Sequence, residues 1–567
     1  MGRMLEGLAR VLGFGLLLVL FVPALALVPA MVVDRGFDGR SRISAFPAAL
    51  VILDPLVWRC ARNSVAVALA VTVGSSVVGT GLGLILGRRR FWGRRPLGIL
   101  AVVPLAMGPI WTVPGVVLAV GGGSSWDWLA ARSFLGQPGD DWARWMALVW
   151  ASLAGATPLV ILATRAGLAR VDPAWADAAR VVGAGRFRVW LDVTWPTIRP
   201  GIARVAGLVF TLTLVEPAGP TILGLRRTLA VEMADAAFRF DDPNRAATLA
   251  VIAIAIACAT RSLLARWAGP VLVRRDVGAK LNFEPRAGTR LGGFAVLGLL
   301  IWAGFSLGPM AAFARRMVGD AVGDRPITWA TIRSVVESWA TPEARIWAAN
   351  SAVTATLAVG LDLILLAVLA TGWRRAARPL AAVPPMAMAV GALAIPPLLA
   401  TWAARAAEGS NPLEILQVVR AELSTGRSPG FLLVIVLAAV YWPILDRATT
   451  RPPGADLRRA STDAALLVGA SSRQARRVGR PRVGIFGGGS VLLAWAWAGT
   501  DLASAWVLTS LDERRTLATA ALDLLGSGAE PLDPRLLGLF LATTGLKLLA
   551  MASVARSTRA GDWLAAR

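Results

Sequence analysis

Histidine is absent from this chain of 567 residues. Because imidazole is the usual proton shuttle and the commonest metal ligand, its absence excludes Ser-His-Asp hydrolases, HExxH proteases and His-ligated metal enzymes. The only cysteines, Cys60 and Cys258, are far apart in sequence and have different predicted surroundings, so they give neither zinc-motif spacing nor a disulfide framework. We therefore expect a protein that is not an enzyme and that holds neither a metal nor a cofactor.

The chain also lacks any glycine followed directly by lysine. A Walker A loop needs that dipeptide, because its lysine binds nucleotide phosphates, so the chain is not expected to hydrolyse ATP itself. Lys280 and Lys547 are the only lysines, and the formal charge of +24 therefore comes almost entirely from arginine. The arginines lie in short segments beside apolar blocks, which is typical of cytoplasmic membrane loops and not of nucleic-acid-binding domains.

Apolar residues make up 56% of the chain, whose mean hydropathy is +0.61. Several apolar blocks exceed the roughly 18–20 residues that cross a bilayer as a helix. The first block, 11–33, is longer than the roughly 7–15-residue core of a signal peptide, so we expect an uncleaved helix there. The sequence predicts an all-α polytopic membrane protein with about twelve spans.

The predicted spans alternate between arginine-rich and arginine-poor loops, which places both termini in the cytoplasm. Their approximate positions are 11–33, 63–87, 96–120, 146–163, 202–223, 247–264, 292–313, a span opening at 350, 379–402, 431–445, 483–508 and 536–554.

An acidic-alanine motif occurs twice. The two copies are Asp177, Ala178, Ala179 and Gly183, and Asp463, Ala464, Ala465 and Gly469. The aspartates and the glycines are both separated by 286 residues, and each copy lies in a basic loop between apolar spans. A repeat of this kind sets the architecture of the chain. Because each half has an even number of spans, the two halves are predicted to be parallel repeats.

The repeat divides the chain into three predicted parts. Residues 1–265 form a first half with six membrane helices, and residues 292–567 form a second half with six more. Residues 266–291 form a basic linker between them, which we expect in the cytoplasm. The motif copies lie in loops 172–199 and 447–482.

The first motif has the composition of a short helix, a sharp turn and a second helix. Gly183 permits backbone angles that other residues resist, and the alanines allow the surface of another protein to approach closely. Pro196 suits the first turn of the membrane helix that follows.

Loop 172–199 resembles the EAA coupling loop of ABC importer permeases, whose pattern is E-A-A-x3-G-x9-I-x-L-P. Asp177 stands in the place of the glutamate, and Pro196 in that of the final proline. The second loop departs from the pattern, because Gly479 replaces the isoleucine and Pro481 comes one residue early. The resemblance implies the fold of type I ABC importer permeases.

In that family the loop fits a groove on a cytoplasmic ATPase subunit, so that ATP-driven movement becomes movement of the membrane helices. The resemblance therefore implies two ABC ATPase subunits in the cytoplasm and an extracytoplasmic solute-binding protein as partners. It also implies a multi-pass protein of the bacterial cytoplasmic (inner) membrane, surrounded by lipid and binding no nucleic acid.

Charged side chains inside membrane spans are rare, so each is a candidate functional residue. Glu216 and Asp501 occupy matching places in the fifth and eleventh spans. They either face each other across the interface of the halves and line a path or gate, or each caps a helix or pairs with an arginine. Asn63 and Asn350, at matching positions, are further path candidates, whereas we expect Asp362 at a helix interface.

The segments that follow the two carboxylates share the pentapeptide R-R-T-L-A, at 226–230 and 514–518. They resemble the outer gate region of fused, two-half permeases that import iron(III), which implies iron(III) as the cargo. Permeases for thiamine, polyamines, phosphonate or sulfate share parts of this plan and remain alternatives. An ion-coupled secondary transporter is a further alternative, although it leaves the paired motifs without a role.

Overall fold

Helices make up almost all of the structure. The computed structural model describes residues 2–35, 41–88, 91–121, 141–168, 171, 173–238, 242–269, 289–322, 333, 337, 341–368, 383–395, 429–450, 483–509, 515–526 and 533–557. Within these residues the exception is one antiparallel pair of three-residue strands, β1 (Val33–Arg35) and β2 (Ser41–Ile43). The prediction of an all-α polytopic protein is confirmed.

The first half begins with a long helix and ends with another. Its helices are α1 (Gly2–Val32), α2 (Phe46–Leu53), α3 (Pro55–Arg88), α4 (Arg94–Leu100), α5 (Pro104–Met107), α6 (Pro109–Gly121), α7 (Asp141–Leu168), α8 (Pro173–Val181), α9 (Arg186–Val189), α10 (Trp195–Leu214), α11 (Ala218–Ile222), α12 (Leu229–Phe238) and α13 (Pro243–Ala268). A π-helical turn, Trp190–Thr194, joins α9 to α10.

The second half has fewer described helices. They are α14 (Thr289–Val322), α15 (Pro342–Val368), α16 (Pro385–Ile395), α17 (Pro429–Thr450), α18 (Val483–Ala498), α19 (Ala503–Leu508), α20 (Leu517–Gly526) and α21 (Arg535–Ser557).

Eight of the described helices are long and apolar enough to cross a membrane, or nine if the bent pair around residue 108 counts as one span. Two shorter apolar helical stretches are α16 (Pro385–Ile395) and Phe431–Trp442 within α17. The count of twelve spans and the division into halves stay predictions, because most of linker 266–291 lies outside the described residues.

Three predicted spans are broken helices. The third bends by 105° between α5 and α6, where Gly108 has a φ of +67°. The fifth breaks between α10 and α11, and the eleventh between α18 and α19. Pro109 and Pro217 explain the first two breaks, because proline lacks an amide donor and disfavours helix in the residue before it. Broken backbone at membrane depth is tolerated where it is buried in protein or lines a cavity.

Helices α3 and α7 pack closely because α3 presents glycines to its neighbour. Gly79 and Gly83 are one turn apart on the same face. A Cβ at Gly79 would lie 2.6 Å from the Cβ of Val160, and one at Gly83 would lie 2.7 Å from the Cβ of Thr164. Small residues allow membrane helices to approach at this distance, so these positions require glycine.

The first helix of each half packs on the other half. Helix α1 contacts α15 and α17, and it lies so close to α16 that a Cβ at Gly391 would be 1.8 Å from the carbonyl oxygen of Pro23. Helix α14 contacts α4, α6 and α7, and a Cβ at Gly115 would lie 2.6 Å from the carbonyl oxygen of Pro309. The two halves are therefore interlocked.

A junction of two hydrogen bonds joins α3 to the start of α12 in the first half, and the bond made by Ser64 is buried. The Nδ2 amide of Asn63 donates to the carbonyl oxygen of Arg227 at 3.1 Å. The Oγ hydroxyl of Ser64 accepts from the backbone N–H of Leu229 at 2.9 Å. Ser64 therefore supplies a partner to one of the N–H groups that the first turn of a helix leaves unsatisfied.

The same junction recurs in the second half between α15 and the start of α20. The Nδ2 amide of Asn350 donates to the carbonyl oxygen of Arg515 at 3.1 Å, and Oγ of Ser351 accepts from the N–H of Leu517 at 2.9 Å. These bonds give both asparagines a structural function. Their predicted place on a translocation path stays a prediction.

We expect Ser64→Ala and Ser351→Ala to destabilise the protein to the same extent. Each change leaves a buried helix-initial N–H without its acceptor, which costs about 1–3 kcal/mol. Thermal unfolding of the detergent-solubilised protein measures the effect. Ser76→Ala, also on α3, is the control, because among the described residues it is Ser64 and not Ser76 that accepts from the N–H at the start of α12. Equal unfolding midpoints for all three variants would contradict the junction's contribution.

Candidate functional site: the coupling loop and the interface of the halves

The first motif folds as the sequence predicts, into α8, a turn and α9. At the end of α8 the N–H of Gly183 donates to the carbonyl of Arg180 at 2.9 Å, and the N–H of Ala184 donates to that of Ala179 at 3.0 Å. This is the Schellman pattern of a helix end, and it requires a left-handed residue at Gly183, whose φ is +86°. The spacing between the alanines and the glycine is thus the spacing of a helix C-terminus.

The turn exposes apolar side chains. Val181 and Val182 are each 88% exposed, and Ala178 is exposed beside them. Asp177 and Arg180 form an exposed ion pair at 3.1 Å on the same helix. Adjacent exposed apolar residues with charges at their edge are a surface to which another protein can bind.

The loop is joined firmly to the membrane helices behind it. Pro196 lies in the first turn of α10, as predicted. Trp195 packs edge-on against Trp267 of α13, with ring centroids 6.1 Å apart. Arg88 at the end of α3 donates a hydrogen bond to the hydroxyl of Thr194 in the π-helical turn. The loop therefore contacts α3 and α13 and continues directly into α10.

The second copy of the motif cannot be compared with the first. Asp463, Ala464, Ala465 and Gly469 lie outside the described residues, between α17 and α18. Their function in coupling stays a prediction.

Glu216 and Asp501 both lie in helix breaks. Glu216 follows α10, and its Oε1 accepts the N–H of Ala218 at 2.9 Å. Asp501 precedes α19, and its Oδ2 accepts the N–H of Ser504 at 2.8 Å. The hydroxyl of Tyr441 donates to Oδ1 of Asp501 at 3.0 Å. Each carboxylate therefore caps the short helix that follows it.

The structure also brings these two carboxylates together at the interface of the halves. Glu216 and Asp501 are close enough to interact electrostatically with each other and with Lys547 of α21. Ala218 and Leu502, next to them, belong to one apolar cluster that spans both halves. Both carboxylates thus accept an N–H at the start of a helix, and both lie where the two halves meet. The sequence had offered these two arrangements as alternatives. A function in translocation stays a prediction.

Lys547 is a residue that the sequence reasoning missed. It is 9% exposed, and its Nζ lies 5.5 Å from the ring centroid of Trp497. A signal was available, since Lys547 is one of two lysines and interrupts an apolar run in the last span.

Asp362, by contrast, is fully buried in α15, and among the described residues neither of its carboxylate oxygens has a hydrogen-bond partner.

Residues 79–275 match the family model described as "Binding-protein-dependent transport system inner membrane component". The match runs from the middle of α3 past the end of α13. It includes the first coupling loop and Glu216, which are the two parts of the first half described above.

Three relatives place the chain among permeases. It is 30% identical over 230 residues to the "Molybdenum transport system permease protein ModB" of Escherichia coli K12, covering 38% of this chain and 95% of ModB. It is 29% identical over 163 residues to the "Molybdate/tungstate transport system permease protein WtpB" of Thermococcus kodakarensis, covering 29% of this chain and 59% of WtpB. It is 27% identical over 220 residues to the "Probable ABC transporter permease protein y4fN" of Sinorhizobium fredii, covering 38% of this chain and 37% of y4fN.

The fraction of each chain that these alignments cover indicates how the lengths of the proteins compare. ModB is covered almost entirely by 38% of this chain, as expected if ModB corresponds to one half. Since 38% of this chain matches 37% of y4fN, those two proteins are of similar length. The names of ModB and WtpB refer to molybdenum, molybdate and tungstate. These relatives give no support to iron(III) as the cargo, so that expectation is withdrawn.

Proposed function

We infer that this chain, which belongs to the family of binding-protein-dependent inner membrane transport components, combines both transmembrane halves of an ABC importer in one polypeptide. It is a multi-pass inner-membrane permease of the binding-protein-dependent type. We assign ATP hydrolysis to separate cytoplasmic subunits and cargo capture to an extracytoplasmic binding protein. The termini, the linker and both coupling loops face the cytoplasm in this proposal.

The observation that carries the proposal is the geometry of the first loop. Gly183 closes α8 with a left-handed turn, and Val181 and Val182 beside it are exposed to their surroundings. The side chains of Val181 and Val182 do not pack against the described part of the chain. An exposed apolar turn with a defined backbone conformation is suited to bind in a groove on a partner. We propose that the partner is the ATPase subunit.

Helix α10 links this loop to the charged interface. It has 20 residues and begins at Trp195 in the loop, so it extends over about 30 Å to the break at Glu216. A rigid helix of this length moves its far end when the loop is displaced. We propose that closure of the ATPase pair moves the loops, parts the halves at the broken helices and opens the path outward. Hydrolysis then returns the halves to the inward-facing arrangement.

We propose a small oxyanion, of the type for which ModB and WtpB are named, as the cargo. The permease is reconstituted in liposomes with its ATPase and binding protein, and uptake of radiolabelled molybdate is measured. We expect uptake that needs ATP inside the vesicle and that stops when the Walker A lysine of the ATPase is replaced. Uptake driven by an ion gradient in vesicles without the ATPase would contradict the proposal and favour a secondary transporter.

A further inference from the structure

Lys547 is a buried cation without a direct partner. It lies in the membrane span Arg535–Val554, and only 9% of it is exposed. Within the described part of the chain its ammonium group makes no hydrogen bond and no direct ion pair, and Nζ lies 5.5 Å from the ring centroid of Trp497. The aliphatic part of the side chain is buried whereas Nζ keeps some accessible surface, and a charged group placed in this way inside a membrane span is a candidate for contact with a ligand.

The ammonium group lies beside the start of a helix from the other half. A Cβ placed on Gly108 would lie 3.8 Å from Nζ of Lys547, and helix α6 begins at the next residue, Pro109. Helix α6 has 13 residues. The start of a helix carries a partial positive charge, which is why anions bind there. At the start of α6 this charge is the main contribution, because Pro109 has no N–H and Trp111 and Thr112 both donate to the carbonyl oxygen of Gly108. Two positive elements, one from each half, therefore converge on one point of the interface.

The acidic groups that face Lys547 are Glu216 and Asp501. One oxygen of each is already used as a helix cap, and Asp501 also accepts the hydroxyl of Tyr441. The negative charges of Glu216 and Asp501 lower the affinity of an anion for the space beside Lys547, but neither carboxylate occupies that space. A transport path requires binding that favours entry and still permits release, so opposing carboxylates are compatible with a transient site.

We propose that Lys547 and the N-terminal end of α6 form an anion site on the translocation path, which takes a tetrahedral dianion such as molybdate or sulfate. This proposal depends on the importer function proposed above, and it adds the residue that contacts the cargo. It combines an ammonium group from the second half with a helix end from the first. Movement of one half relative to the other therefore changes the distance between the ammonium group and the helix end.

The first test is uptake by variants of the reconstituted complex. Lys547→Met removes the charge and retains the length of the side chain, and Lys547→Arg retains the charge. We expect Lys547→Met to reduce the molybdate uptake rate at least about tenfold, the usual effect of losing a hydrogen bond to a charged group. Lys547→Arg retains most of the uptake. Lys280→Met, at the only other lysine, is the matched control and transports like the wild type.

Assembly and ATP hydrolysis are measured on the same preparations. Loss of uptake with retained ATPase binding and ATPase activity supports the site, whereas uptake by Lys547→Met within twofold of the wild type overturns it. If the wild-type complex hydrolyses ATP but imports no molybdate, the proposed cargo fails, and that result does not depend on Lys547.

The second test needs no change at Lys547. In a Lys280→Arg variant, Lys547 is the only lysine, and its reductive methylation by formaldehyde is followed by peptide mass spectrometry. The intact complex is labelled at rest and with a non-hydrolysable ATP analogue. We expect molybdate and sulfate to slow the labelling several-fold in at least one of these states, and glucose to have no effect. Equal labelling with and without the oxyanions in both states overturns the site.

Discussion

Replacing Gly79 by leucine is expected to separate α3 from α7, whereas the same replacement at Gly81 leaves the helix pair in place. A Cβ at Gly79 would lie 2.6 Å from the Cβ of Val160 and 3.0 Å from the carbonyl oxygen of Thr157. The backbone carbonyl cannot move aside as a flexible side chain can. Overpacking costs roughly 1–3 kcal/mol where neighbours can yield, and we expect Gly79→Leu to reach or exceed the upper end of that range.

Gly81 provides the matched control for this prediction. It lies on the same helix two residues further on, and no described residue lies within 4 Å of a Cβ placed there. The yield of monodisperse protein and the midpoint of thermal unfolding are compared for the two variants. Gly79→Leu is expected to be lower in both, and Gly81→Leu to match the wild type. Equal losses for the two variants would mean that α3 and α7 do not pack as described.

Replacing Gly183 by tryptophan is expected to abolish ATP-driven uptake while the permease still folds. Its φ of +86° disfavours any L-residue, by about 1–2 kcal/mol. Among the described residues none lies within 4 Å of a Cβ at this position, so a bulky side chain is expected to meet a docked partner and not the described part of the permease. Uptake into proteoliposomes and retention of the ATPase on the purified permease measure the loss.

Two further substitutions separate backbone strain from steric bulk. Gly183→Ala carries the strain without the bulk, and we expect it to retain part of the uptake. Gly185→Ala lies in the same turn with a φ of −65° and open space around it, so it should transport like the wild type. Wild-type uptake and ATPase retention by Gly183→Trp would show that no partner docks at this turn.

The coupling loop was predictable because its structure is local. The alanines and Gly183 are spaced as a helix and its left-handed end require, and Pro196 occupies the helical position that suits proline. The long apolar blocks likewise specify membrane helices through composition alone. The importer family follows from the motif because its residues are contiguous in sequence.

The charged interface was only partly predictable because it depends on contacts between distant residues. Hydropathy sums composition over a window, so it joined α10 to α11 across the break at Pro217 and gave no sign that Asn63 bonds to Arg227, 164 residues away. Glu216 and Asp501 were identified because they recur at matching positions. Lys547 was missed because the search for charged residues inside the spans considered only carboxylates, although Arg261 lies at the matching position of the first half.

The most direct test of the account is the number of ATPase subunits bound to one permease chain. The permease is co-expressed with its native ATPase, extracted in mild detergent and weighed intact by native mass spectrometry. The account predicts two ATPase subunits per chain, one at the loop of Asp177 and Gly183 and one at the loop of Asp463 and Gly469. A complex with one ATPase subunit, or a permease that never retains any, would contradict it.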